Sequence, residues 1–134
     1  KREKALLKGC ELLEEKGYTT KGFYDALIKR DNLISTALGN GVAIPHVFKE
    51  SVVKSGVSVI KLDHPIQWHE NEKVWLIFIF AINTDDANIF SHFFRSFYQL
   101  MDSKETLCKL ENAKDIEEFI SVLRAASLSI EKEI

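Results

Sequence analysis

The chain has 134 residues and a mass of 15.3 kDa, which fits one domain large enough to bury a continuous core without disulfides or a structural metal. Lys+Arg 18 against Asp+Glu 20 give a formal net charge of -2 with no basic block, which argues against a surface dedicated to nucleic acid. The longest apolar run, Val74 to Ile82, falls far short of the roughly 20 residues that span a bilayer, and Lys1-Arg2-Glu3-Lys4 is not followed by a signal-peptide apolar stretch.

Taken in chain order, Leu6, Leu7, Cys10, Leu13 and Gly17 recur at helical spacing, with Glu and Lys between them, and predict a helix closed by a glycine. A chain that begins at Lys1 instead of Met is expected to be a trimmed chain or a segment of a longer one. Thr19 or Thr20 can cap a second helix in which Phe23, Ala26, Leu27 and Arg30 share one face, so Arg30 should point inward. A loop at Asp31 to Gly41 then leads to a strand at Val42–Ile44, and Gly56 to Leu62 reads as another. Asp63 to Lys73 is polar around Pro65 and Trp68 and predicts a surface connection, with a short extended piece at Ile66–Trp68.

Val74 to Ile82 is apolar at every position, as expected of a central strand covered on both faces by helices. The next helix has capping side chains at Asn83 to Asp86 and a stripe of Phe90, Phe93, Phe94, Phe97, Leu100 and Met101. Asp115 and Glu118 form a capping box for a last helix, whose core face is Ile116, Phe119, Ile120 and Leu123, and the tail beyond about Ala126 should fray. Cys10 and Cys108 lie in helical patterns without C-x-x-C spacing, so both read as reduced core thiols of a cytoplasmic protein. No repeat, low-complexity segment or second domain is visible.

The segment with chemistry is Gly39-Asn40-Gly41-Val42-Ala43-Ile44-Pro45-His46. Its glycines permit tight backbone geometry and close approach of peptide N–H groups to an anion, and Pro45 fixes the backbone just before an imidazole. A neutral imidazole can attack phosphorus, hold the phosphoryl group as a phosphoramidate and surrender it to another nucleophile. The Ser35 and Thr36 hydroxyls, the Asn40 amide, the peptide groups of Gly39 to Gly41 and an inward Arg30 are candidate donors to phosphoryl oxygens. The same residues also suit structural roles: Ser35 and Thr36 as caps, Asn40 in a left-handed turn, Arg30 in an ion pair. His64 and His69 read as solvated imidazoles of the polar connection, without metal-ligand spacing.

The run Ser35-Thr36-Ala37-Leu38-Gly39-Asn40-Gly41-Val42-Ala43-Ile44-Pro45-His46 closely resembles the active-site segment of enzyme IIA domains of the bacterial sugar phosphotransferase system, fructose/mannitol class. The order of elements over about residues 3–125 resembles that family as well. The resemblance implies an α/β fold, a mixed β-sheet with helices on both faces, in a single domain over residues 1–134. It also implies that His46 accepts a phosphoryl group from the phosphocarrier HPr and passes it to a cysteine of an enzyme IIB domain, with no cofactor or metal. Arg30 matches an arginine of the phosphate site in mannitol-type members.

Two positions depart from the family pattern. Many members carry a second active-site histidine at the start of the helix after the buried strand, and Phe90 occupies that position here. His92 is the remaining candidate, but two residues turn a helical side chain by about 200°, away from the Phe90, Phe94 and Phe97 stripe. Val47 stands where transport-type members usually have glycine. These departures resemble the IIA-like modules of sugar-operon transcriptional regulators and also galactitol-like carriers, so a phosphorylation-sensing module is the alternative to a transport component. Val47 and Phe48 are the expected docking rim for partner proteins.

Overall fold

Leu6, Gly9, Cys10 and Leu13 form the buried face of the first helix, α1 (Arg2–Glu15), in the computed structural model. The structure describes residues 1–133, with the side chains of all but Thr84, Ala87 and residues 129–133. Gly17 ends α1 as expected: it adopts φ +81°, which glycine tolerates without a Cβ penalty, while Tyr18 N–H returns to the Leu13 carbonyl at 3.0 Å.

The second helix, α2 (Phe23–Leu33), buries Phe23, Ala26, Leu27 and Asp31. Neither threonine caps it. Thr19 bridges to Val52, Thr20 N–H donates to Ser51 O at 2.9 Å, and the N-cap is Gly22, with no side-chain bond. Arg30 is exposed, contrary to the sequence expectation. From Leu27 the buried stripe continues at i+4, onto Asp31, and Arg30 falls on the solvent side of the last turn.

Four strands follow: β1 (Val42–Ala43), β2 (His46–Phe48), β3 (Gly56–Gln67) and β4 (Lys73–Ile82). The sheet is built around β4. Its partners are β1 and β2, both parallel, at Leu76–Ile77 and Phe80–Ile82, and β3, antiparallel, from Lys73 to Ala81. A strand has only two hydrogen-bonding edges, so β1 and β2 lie end to end along one edge and β3 takes the other. The separate strand at His46 was not expected from the sequence, and the extended piece expected at Ile66–Trp68 forms at Ile66 and Gln67 as the end of a continuous β3. The register of β3 shifts between Lys61 and Ile66, around Pro65, which lacks the N–H a regular ladder needs and is tolerated there because, among the described residues, β3 pairs only with β4.

Every side chain of β4 from Leu76 to Ile82 is buried. Ile77, Ile79 and Ala81 share a core with Leu6, Cys10, Leu13, Phe23 and Leu27 of α1 and α2, and the alternating residues Leu76, Phe78, Phe80 and Ile82 are buried on the opposite face. At about 1.5–3 kcal/mol for each fully buried Val, Leu, Ile or Phe, this strand is the largest single apolar contribution to the sheet. Helix α1 approaches it closely: a Cβ on Gly9 would lie 2.4 Å from Ile79 Cδ1.

By its internal contacts the chain divides into two compact units, Lys1–Ala87 and the residues from Asn88 onward. The second unit comprises nearly all of α3 (Ala87–Met101), with α4 (Lys104–Glu111) and α5 (Ile116–Glu133). Phe97, Leu100 and Met101 of α3, Leu110 of α4 and Phe119 of α5 are its buried apolar side chains. Ser103 caps α4 by accepting from Thr106 N at 3.2 Å. Asp115 accepts from Glu118 N at 2.8 Å, and Glu118 reaches back to Lys114 N at 3.2 Å, a capping box displaced by one residue.

Three expectations change in this unit. Ile116 and Ile120 are exposed, leaving Phe119 as the buried anchor of α5, and Cys108 is exposed on α4. The helix also continues past Ala126 to Glu133, where a frayed tail was expected. Ser127, Leu128 and Ile130 to Glu133 contain no proline or glycine to stop it.

Candidate functional site

The glycine loop is the turn of a narrow hairpin-like segment. Leu38 N–H donates to Val42 O at 2.8 Å, Ile44 N–H to Thr36 O at 3.0 Å, and Ala37 bridges Ala43. Gly39 and Gly41 have φ of +87° and +93°, the left-handed region that L side chains seldom adopt. Gly41 carries a second constraint, because a Cβ there would fall 2.4 Å from Trp75 Nε1. Its carbonyl takes Trp75 N–H at 2.8 Å and Leu76 N–H at 3.2 Å, fastening the turn to β4. Asn40, at the tip, is half-buried.

From this turn the chain runs through buried Ile44 and Pro45 into β2. Pro45 O accepts Phe80 N–H at 3.0 Å, which places His46 opposite Phe80 of β4. Val47 belongs to the core under α1 and α2, so His46 and Phe48 project from the other face of the sheet. His46 is half-buried, and its ring meets Phe48 edge-on at a centroid separation of 5.7 Å. Its Nδ1 lies 2.9 Å from Ile44 O. A carbonyl can only accept, so Nδ1 carries the hydrogen, and the neutral ring has its nucleophilic lone pair on Nε2.

The other expected site residues are placed differently. Thr36 Oγ1 donates to Asp31 Oδ1 at 2.9 Å, and Ser35 Oγ to Glu72 Oε1 at 2.6 Å. Both hydroxyl hydrogens are thus committed to carboxylates, and the two residues brace the approach to the glycine turn. Arg30 lies in the last turn of α2, a helix packed on the face of the sheet opposite His46. His92 is exposed on α3, in the second unit, where Phe90 packs against Phe93 and Phe94 at ring separations of 5.6 and 5.5 Å. Val47 is fully buried and Phe48 half-buried, so Val47 is core where a docking rim was expected. Leu33 and Ile34 instead present exposed apolar surface, at 77% and 76%.

A polar cluster that sequence reasoning missed centres on Asp31. Its carboxylate, 1% exposed, pairs with Arg2 and takes His69 Nε2 at 3.2 Å in addition to the Thr36 hydroxyl. Arg2 also donates to Asn32 Oδ1 at 2.8 Å, and its guanidinium lies 5.8 Å from the centre of the Trp68 ring. His69 is therefore a structural partner and not a solvated surface imidazole. The i, i+4 spacing of Phe23, Leu27 and Asp31 was the signal available in the sequence, overlooked because Arg30 also fitted the stripe.

Residues 1–126 match the family of the phosphoenolpyruvate-dependent sugar phosphotransferase system, EIIA 2. The chain belongs to that family. Among the relatives of this IIA domain is the mannitol-specific phosphotransferase enzyme IIA component of Halalkalibacterium halodurans, 34% identical over 122 residues that cover 89% of this chain and 83% of the relative. The transcriptional regulator ManR of Bacillus subtilis is 30% identical over 111 residues, covering 83% of this chain and 17% of the regulator. The fold is shared with enzyme IIA of mannitol in its complex with phosphorylated enzyme IIB from Escherichia coli, with a TM-score of 0.80, 21% identity, and 92% and 88% of the two chains covered. Among the described residues, no helix is long and apolar enough to cross a membrane.

Proposed function

We propose that residues 1–134 act as one phosphocarrier domain, with His46 accepting a phosphoryl group from HPr and passing it to a cysteine of an enzyme IIB domain. The observation that carries this reading is the bond from His46 Nδ1 to Ile44 O, which gives the lone pair to Nε2 in the neutral ring. In the first step Nε2 attacks phosphorus as the P–N bond to the donor histidine breaks. In the second a IIB thiolate attacks the same phosphorus, the P–N bond to His46 breaks, and the ring returns to its neutral form. The charge on the phosphoryl oxygens needs donors, for which the peptide groups of Gly39 to Gly41 and the Asn40 amide are the candidates. A cytoplasmic location follows from this reading, because the donor of the relay, phosphoenolpyruvate, is a cytosolic metabolite.

Incubation with phosphoenolpyruvate, enzyme I and HPr should introduce one acid-labile, base-stable phosphate, and His46→Ala should abolish it. Normal labelling of that variant would sink the assignment.

The second reading is a regulatory module, in which the phosphoryl group changes contacts with neighbouring regulator domains instead of feeding transport. It is favoured by the likeness to a segment of ManR and by Val47 in place of the glycine usual after the histidine. Under both readings the chemistry at His46 is the same.

A further inference from the structure

A continuous line of hydrogen bonds joins the buried Asp31 carboxylate to the imidazole of His46. Asp31 Oδ1 accepts the Thr36 hydroxyl at 2.9 Å, the Thr36 carbonyl accepts Ile44 N–H at 3.0 Å, and the Ile44 carbonyl accepts His46 Nδ1–H at 2.9 Å. The residues at both ends are fixed independently. Asp31 is held by Arg2 and His69 in addition to Thr36, and the backbone beside His46 is held by the bond from Phe80 N–H to Pro45 O at 3.0 Å. Between them, Ile44 is buried and Pro45 restricts φ, so the direction of the Ile44 carbonyl depends on where the segment from Thr36 to Leu38 is pinned.

The geometry points to Thr36 as a positioning residue for His46, with Asp31 as its anchor. Through the Thr36 and Ile44 backbone it keeps the ring in the Nδ1–H tautomer and its Nε2 lone pair turned to the incoming phosphorus. The functional part of this inference rests on the phosphocarrier reading; the tautomer part does not. A carboxylate-anchored hydroxyl suits this role because a charge-assisted hydrogen bond is shorter and stronger than a neutral one. A serine or threonine that met the phosphate itself would need its hydrogen free for the phosphoryl oxygen, and here that hydrogen points to Asp31.

The test is a long-range proton–nitrogen NMR correlation of the His46 ring in the unphosphorylated protein, together with the rate of phosphoryl acceptance. The wild-type ring should be in the Nδ1–H form. Thr36→Val, which keeps the shape and removes the hydroxyl, should shift the ring toward a mixture of tautomers and slow phosphoryl acceptance by about 10-fold. Thr36→Ser should restore both. An Nε2–H ring in the wild-type protein would overturn the inference without any variant. So would a Thr36→Val protein that keeps the wild-type ring signals, even with its rate reduced, since the hydroxyl would then act on stability alone. Failure of the carrier reading would show separately, as a wild-type protein that takes no phosphate on His46.

Discussion

At the scale of single residues, burial decides which side chains have chemistry available to them. Cys10 is 4% exposed and its thiol is pushed up to about 12 by burial, with the neighbouring Glu11 charge adding to the effect. Cys108 is exposed. An aromatic disulfide reagent at pH 8 should therefore titrate one thiol in the native protein and two after unfolding, because only the thiolate reacts. The same shift has a stability consequence with a definite sign. Above pH 9 the unfolded chain releases the Cys10 proton while the folded chain holds it, so this contribution to stability is lost as pH rises from 9 toward 12. Denaturant midpoints of wild type and Cys10→Ala across that range would reveal it as a weaker alkaline decline in the variant. His69 and Asp31 make the complementary point. Both are ordinary polar residues in sequence, and contacts with distant parts of the chain give them a structural role: His69 through Asp31, and Asp31 through Arg2, Thr36 and His69.

Among the elements, β4 and α1 are matched with almost no clearance. Gly9 lets the helix approach Ile79, and a Cβ at that position would meet its Cδ1 at 2.4 Å. Gly9→Val should therefore destabilise the domain by about 1–3 kcal/mol, as overpacked cores do, despite valine's better backbone entropy. Chemical denaturation would measure it, with Ile79→Ala in the same chain as a partial compensation because it vacates the volume the new methyls need. Legibility from sequence was best for elements of this kind. The unbroken apolar run of β4 and the three- and four-residue spacing of α1 are local patterns with a single structural solution. It was worst where a neighbour intervened. Thr19 and Thr20 are good caps in isolation, but the 51–52 loop claims both, and β3 runs through a proline because no described strand pairs with its outer edge.

For the molecule as a whole, membership of the EIIA 2 family covers residues 1–126, so the fold and the phosphoryl chemistry are inherited together. Under the carrier proposal, what distinguishes transport from regulation is the fate of the phosphoryl group once it is on His46. Mixing the labelled protein with a mannitol-class IIB domain should discharge it within the mixing time of a functional relay, and a IIB domain with its active cysteine changed to serine should leave the label in place. Label that persists with both would favour the regulatory reading.

The histidine, its glycine turn and the buried strand can be read from the chain alone, because each is written in consecutive residues whose backbone preferences and apolarity act locally. Their surroundings were set by folding. It turned Arg30 to solvent and Asp31 inward, assigned the Ser35 and Thr36 hydroxyls to carboxylates, buried Val47, and brought Thr36 next to Ile44 and thus to the ring of His46. Those outcomes depend on which groups from distant parts of the chain compete for the same hydrogen bond or the same volume, and spacing along one segment cannot rank such competitors.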